Sequence, residues 1–281
     1  INNKGNINFN TVVQISNQER IFMAMVIALT NQKGGVGKTT TSSSLIAALA
    51  NKGYKVLGID LDPQGNLGFY FGLNIEESKT IYDAMKGTDT LPDVIQSADK
   101  VDIVPSNILL SGAELEFNRS GREFLVKDLL ARVEDNYDFI IRDTPPSLNV
   151  LMVYAYLAAD YLIIPMVPEI LSLLGVSQLK ETVDAVRKFY NPGLKVLGIL
   201  LTKFNKRTIL AREVEDMADQ IANQLDSKVF KSKIRNAVAV AESPAHAMSI
   251  VDYAPDSNPA RDYRQLVLEI LDMIEKEGPR V

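Results

Sequence analysis

The sequence contains no cysteine. Disulfide frameworks, thiolate zinc sites, iron–sulfur clusters and cysteine nucleophiles are therefore excluded from this chain alone. Its single histidine, His246, excludes multi-histidine metal centres and leaves one candidate base for Ser-His-Asp catalysis. It lies in Glu242-Ser243-Pro244-Ala245-His246-Ala247 and is read as structural. Long apolar runs are also missing. The most apolar region, Tyr161 to Val176, is interrupted by Pro165, Pro168 and Glu169 and falls short of the roughly 18 residues a spanning helix needs. Ile21 to Leu29 follows Arg20 and looks like the core of a signal peptide, but it runs straight into a glycine-rich sequence and reads as a buried strand. Positive charge is not in excess: net charge is −5, so nucleic-acid binding would have to come from a local patch. The absence of cysteine fits a cytoplasmic protein.

What is present is ordinary globular composition, with 281 residues of which 46% are hydrophobic. That supports a sizeable core and excludes disorder as the main state. Residues 1–22 are mostly polar and Asn-rich and read as an N-terminal arm; residues 23–281 read as one domain. Across that domain short Val/Ile/Leu runs alternate with helical patterns, the signature of a parallel sheet with crossover helices. Strands are expected at Met23–Thr30, Lys55–Asp60, Val101–Val104, Phe139–Asp143, Tyr161–Val167 and Lys195–Thr202. They lack polar alternation, as strands covered on both faces should. Helices are expected at Thr39–Lys52, Arg122–Val133, Leu148–Ala158, Ser172–Tyr190, Leu210–Leu225 and Pro259–Glu277.

The informative stretch runs from Thr30 to Thr40 (TNQKGGVGKTT), after an expected strand and at the start of an expected helix. Glycines let successive N–H groups turn toward one anion, and the helix N-terminus adds the positive end of its dipole. Lys38 would reach the β- and γ-phosphates, and the Thr39 hydroxyl would complete a Mg²⁺ shell. Gln32 stands where the general pattern G-x-x-x-x-G-K-[ST] has its first glycine, and a second lysine, Lys33, precedes the glycines. Two aspartate-bearing strand ends follow: Gly58-Ile59-Asp60-Leu61-Asp62-Pro63-Gln64-Gly65-Asn66, and Phe139-Ile140-Ile141-Arg142-Asp143-Thr144-Pro145-Pro146-Ser147.

The lysine-bearing loop resembles the deviant Walker A motif of the ParA/MinD class of P-loop ATPases, and from Met25 to Leu271 the chain looks closest to ParA-type partition ATPases without a helix-turn-helix domain. The resemblance implies an α/β, single-domain P-loop NTPase with a mostly parallel central sheet flanked by helices on both faces. It implies that ATP and Mg²⁺ bind at Lys33, Gly34, Gly35, Val36, Gly37, Lys38, Thr39 and Thr40, with Thr39, Asp62 and Asp143 at the metal. Lys33 would reach the partner's nucleotide across an ATP-dependent homodimer, a charge supplied as an arginine finger supplies it. Asp62 would position or activate the attacking water beside the catalytic Lys33 and Lys38, while Asp60 reads as local scaffolding. Pro168-Glu169 resembles the segment near nucleotide and dimer interface, and Asn205 takes the place of the base-contacting strand end.

The partners implied are non-specific double-stranded DNA and a ParB-like centromere-binding protein that stimulates hydrolysis, which would place the protein on the nucleoid in the cytoplasm. Between Lys203 and Arg235 eight basic residues stand against five acidic ones. The resemblance implies Arg207 and Arg235 as phosphate contacts, with Lys231 and Lys233 in support. Ala237–Ala241 is apolar where many relatives carry another basic residue. A MinD-like, membrane-bound alternative would use the C-terminal helix. There Leu266, Val267, Ile270, Leu271 and Ile274 form an apolar stripe, but the opposite face is acidic and anionic lipid would repel it, so it reads as packing on the sheet with no membrane partner. A metabolic P-loop enzyme is the other alternative.

Overall fold

The computed structural model describes residues 23–117, 124–147, 149–168, 176–205 and 209–277. The apolar runs become strands because each can bury both of its faces. They are β1 (Met25–Leu29), β2 (Val56–Asp60), β3 (Gln96–Ala98), β4 (Val101–Val104), β5 (Phe139–Asp143), β6 (Tyr161–Met166) and β7 (Lys195–Leu201). Every residue of β2, β5 and β6 is buried. The order across the sheet is β3-β4-β2-β5-β1-β6-β7, and all neighbours are parallel except β3 and β4. The register aligns Leu29 and Asp60 with Asp143, so β1, β2 and β5 end together at one edge. Pro165 lies beyond the last β1–β6 pair, Leu29 with Ile163, where a missing N–H costs the ladder nothing on that side.

The helices are α1 (Lys38–Ala50), α2 (Asn66–Phe69), α3 (Ile81–Lys86), α4 (Leu91–Val94), α5 (Ala113–Phe117), α6 (Leu125–Leu130), α7 (Val150–Leu157), α8 (Val176–Phe189), α9 (Ile209–Gln224), α10 (Val238–Glu242), α11 (Ile250–Tyr253) and α12 (Asn258–Glu277). One face of the sheet packs on α1, α11 and α12, the other on α5 to α9, so the two hydrophobic clusters lie on opposite sides of the sheet. The six expected strands are present, Val101–Val104 and Phe139–Asp143 with the expected bounds and the other four shortened by one or two residues at one or both ends, and the expected α/β class holds. β3 was not expected. It pairs antiparallel with β4 through a two-residue turn in which Asp99 takes a left-handed backbone (φ 51), too short a ladder for periodicity to reveal. The expected helix Arg122–Val133 contracts to α6, and its first two residues lie outside the described ones, as does the arm at residues 1–22.

α12 packs as expected: Leu266, Val267 and Ile270 are buried against the sheet and α1. Among the described residues no helix is long and apolar enough to cross a membrane. Among the glycines of the described residues the tightest is Gly198 in β7, where an added Cβ would lie 2.4 Å from the buried Phe230 ring. Gly198→Ala should therefore destabilise the fold by overpacking, by about 1–3 kcal/mol in denaturant unfolding. Gly198→Ala with Phe230→Leu should lose less than the two single changes added together.

Candidate functional site

The loop between β1 and α1 is built by glycines that accept left-handed backbone, Gly35 (φ 73) and Gly37 (φ 87). Gly37 is the N-cap residue of α1, and no side chain caps the helix there. The first N–H groups of α1 are thus left for an anion, together with the positive end of the helix dipole. Side chains pin the loop from three strands. Asn31 donates to the Pro165 carbonyl (2.7 Å) while its Oδ1 accepts from Lys33 N–H (2.9 Å). The Thr202 hydroxyl donates to the Val36 carbonyl (2.7 Å), and that of Thr144 to the Leu29 carbonyl (2.7 Å). Lys38 Nζ closes the loop on itself by donating to the Lys33 carbonyl at 3.2 Å.

α1 follows with the unusual sequence KTTTSSSLIAALA. Serines and threonines are poor interior helix formers, but here their hydroxyls have fixed partners. Thr39 Oγ1 donates to Asp143 Oδ2 (2.6 Å) and Ser42 Oγ to Asp143 Oδ1 (2.9 Å). The Thr40 and Tyr70 hydroxyls are hydrogen-bonded (3.0 Å), as are those of Thr41 and Tyr263 (3.2 Å). Sequence reading missed both tyrosines, because nothing in their local pattern says that a hydroxyl will reach α1.

Three aspartates gather at the ends of β2 and β5. Asp60 is fully buried and accepts backbone N–H groups from Asp62 and Leu67, both at 2.9 Å, which is the scaffolding role expected of it. Asp62 accepts the Gln64 N–H at 3.0 Å and faces the cleft. Burial raises the pKa of all three, and Asp143 is pushed up to about 6, countered by the Thr39 and Ser42 hydroxyls and by the charge of Lys38. Burial lowers the Lys38 pKa, with Asp143 and Asp62 opposing that shift. Arg142, beside Asp143, points to the other face of the sheet. It is wholly buried and donates to the Ala155 carbonyl (2.9 Å), and burial brings it down to about 9.

The loop opens into a cleft of about 670 Å³ lined by Gly34, Gly35, Gly37, Lys38, Thr39, Thr40 and Asp62 on the polar side. Ile234, Ala237, Val240, Ala241 and Pro244 supply an apolar wall. Asn205 lines a second cleft instead, because the left-handed backbone at Lys203 (φ 50) turns the chain after β7. Pro168 is half-buried beyond β6 and is not among the cleft-lining residues, and Glu169 lies outside the described residues. Of the expected DNA contacts, Lys231, Lys233 and Arg235 meet in that second cleft; Arg207 lies outside the described residues.

A phosphate loop between a parallel strand and a buried helix, with a hydroxyl and an aspartate at its foot, defines a P-loop nucleoside-triphosphate-binding protein. A family model described as an AAA domain matches residues 24–196. The sporulation initiation inhibitor protein Soj of Bacillus subtilis is 40% identical over 254 residues, covering 88% of this chain and 98% of its own. The chromosome partitioning protein ParA of Myxococcus xanthus is 36% identical over 259 residues, covering 91% and 90%. A crystal structure of cobyrinic acid a,c-diamide synthase from Mycobacterium smegmatis with bound ADP and magnesium superposes with a TM-score of 0.80 at 33% identity, covering 92% of this chain and 98% of that one. The chain belongs to this AAA-domain family and to the family of its Soj and ParA relatives.

The raised Asp143 pKa fixes a pH dependence. A carboxyl that holds its proton longer when folded than when unfolded stabilises the fold at low pH, and that contribution is lost as pH rises from about 4 to about 6. Asp143→Asn, which mimics the neutral form, should flatten this component. Thermal melts of both proteins between about pH 4 and 7, without nucleotide, check it.

Proposed function

We propose that this protein is a Mg²⁺-dependent ATPase of the DNA-partition type. The observation that carries the reading is the Thr39–Asp143 pair at the foot of a phosphate loop whose extra lysine, Lys33, precedes Gly34. The donors fit magnesium. A hydroxyl and a buried carboxylate stand together with Asp62 close by, all oxygens, and Mg²⁺ binds through one or two carboxylates plus phosphates and water. When bound, the ion would neutralise charge on the transferred phosphoryl group. Lys38 releases the Lys33 carbonyl to hold the β- and γ-phosphates, and the α1 N-terminus receives them. Asp62 orients the attacking water. Lys33 serves the nucleotide of a second copy, so that ATP assembles a homodimer. Residues 23–281 make up the ATPase unit, with residues 1–22 as an arm.

In this reading the dimer binds non-specific duplex DNA through Lys231, Lys233, Arg235 and Arg207, and a ParB-like protein stimulates hydrolysis and release. The name of the Myxococcus xanthus relative, a chromosome partitioning protein that covers 91% of this chain, supports partition. The name of the Mycobacterium smegmatis structure favours a second reading, a metabolic ligase on the same fold.

Two sets of measurements separate these readings. Lys38→Ala should lose nucleotide binding, whereas Asp62→Ala should bind ATP like the parent and lose turnover by about 100-fold or more. Loss of binding in both would refute the separate roles. Titration of a non-specific duplex with ATP, with ADP and without nucleotide should show ATP-dependent binding that falls steeply with salt. No binding in any state, from protein that binds ATP, favours the metabolic reading.

A further inference from the structure

Residues 229–235 run beside β7 through parallel bridges, Ile199 with Val229 and Phe204 with Arg235. The outer side of such a segment presents edge N–H groups that need partners. Three of them end on carboxylates of α12. Glu269 accepts from Lys231 N–H (2.8 Å) and Ser232 N–H (2.9 Å), and Asp262 accepts from Arg235 N–H (3.0 Å). Asp262 and Glu269 are two turns apart on α12 and so share one face.

Asp262 does more than hold the backbone. Arg235 donates to it through Nε (2.9 Å to Oδ2, 3.2 Å to Oδ1) and through Nη2 (2.6 Å to Oδ1). This two-pronged geometry is the one a guanidinium offers to a phosphate. The carboxylate is the less accessible partner, 12% exposed against 47% for the arginine, and the two-pronged geometry is what raises the pair above an ordinary surface contact. Lys233 is ion-paired with Glu215 of α9, and its Nζ stands 4.9 Å from the Phe204 ring centroid. These groups line a cleft of about 900 Å³ that also takes in Lys203, Asn205 and Lys231. Charge counting from Lys203 to Arg235 sees a basic patch; the fold sets Glu215 of that stretch against Lys233 and adds Asp262 and Glu269 from α12, outside it. Tyr263, next to Asp262, is hydrogen-bonded to Thr41, so the helix that carries these acids also backs the phosphate-loop helix.

We infer that Asp262 is a built-in competitor for phosphate: it occupies the Arg235 fork and holds the basic cleft in a state of weak affinity for DNA. The inference rests on the DNA-binding reading above. DNA gains the Arg235 contact only when the fork opens, and the protein without its carboxylate no longer has to open it. The mask weighs most where the nucleotide does not already favour DNA, so its removal should matter more with ADP than with ATP.

The test is the affinity of Asp262→Asn for a short non-specific duplex, measured by fluorescence anisotropy over a salt series with ADP and with a non-hydrolysable ATP analogue. The variant should bind about 3- to 10-fold tighter than the parent, with the larger gain in ADP, and the slope of log K against log salt should steepen by about 0.9 for each phosphate gained. Asp272→Asn removes an equal charge from the exposed Asp272–Lys276 pair of the same helix and should change affinity less than about 2-fold. Arg235→Gln added to Asp262→Asn should erase the gain. Asp262→Ser is the second variant should the amide disturb folding, which thermal melts show. If the parent binds DNA with the ATP analogue and the Asp262 variants bind no tighter than Asp272→Asn, the fork is scaffold and the inference is overturned while the DNA reading stands. If neither parent nor variants bind DNA in any state although ATP binds, the DNA reading fails and takes this inference with it.

Discussion

The hydrogen bonds from Thr39 and Ser42 to Asp143 join the first turn of α1 to the end of β5, and the rest of the site is arranged around that junction. A phosphate loop must keep its N–H groups available while everything beneath it is packed. Elsewhere in a fold, a helix N-terminus would be capped by a side chain. Here the cap is withheld, and stability comes from ties to other elements: Asn31 bonds the loop to β6, Thr202 bonds it to the end of β7, Thr144 bonds the end of β1, and Tyr70 and Tyr263 bond the helix behind it. The loop is thereby held in shape while the N-cap position of α1 stays free of any side-chain cap.

The same junction concentrates charge where the sheet is driest. Asp60 answers its burial with two backbone N–H groups, and Asp143 with two hydroxyls and the nearby Lys38. Partly neutralised carboxylates around one desolvated lysine make a site whose electrostatics improve when a divalent cation and a phosphate chain arrive together. Arg142 shows the cost on the opposite face. Its Nη1 reaches the Ala155 carbonyl near the C-terminus of α7, while Nε and Nη2 have no hydrogen-bond partner among the described residues. Removing a buried donor's water without full replacement costs of order 1–3 kcal/mol. The arginine thus ties β5 to α7, the helix after the Pro145-Pro146 turn, at some expense in stability.

Acidic side chains play a second part beside the cleft, where Arg235 lines it. The acidic face of α12, which in the sequence argues only against a lipid surface, supplies Asp262 and Glu269 to the segment beside β7. They satisfy N–H groups of that segment and offset the charge of Arg235. One helix thereby serves packing, edge protection and electrostatics, because its faces turn toward different neighbours.

Much of this was legible in the chain itself. Unbroken Val/Ile/Leu runs marked the parallel strands, since strands covered on both faces have no polar alternation to lose. The spacing of Lys33, Lys38 and Thr39 marked the loop, since local glycine geometry and a helix start are enough to make an anion site. The aspartates at strand ends were visible because β2 and β5 end in them. Beyond that, only tertiary structure decided. β3 is a ladder of three residues, and its pairing is fixed by a turn and not by a pattern. Asn205 went to the second cleft through the left-handed backbone at Lys203, and Tyr70 and Tyr263 reached α1 across 30 and 222 residues of chain. The partners of Arg235 and Lys233 likewise come from α12 and α9. The sequence determined what each segment could bury and which anion a loop could hold, because those depend on neighbours in the chain. Which charges face one another was left to the packing of distant helices, where Coulomb's law takes account of space and not of sequence.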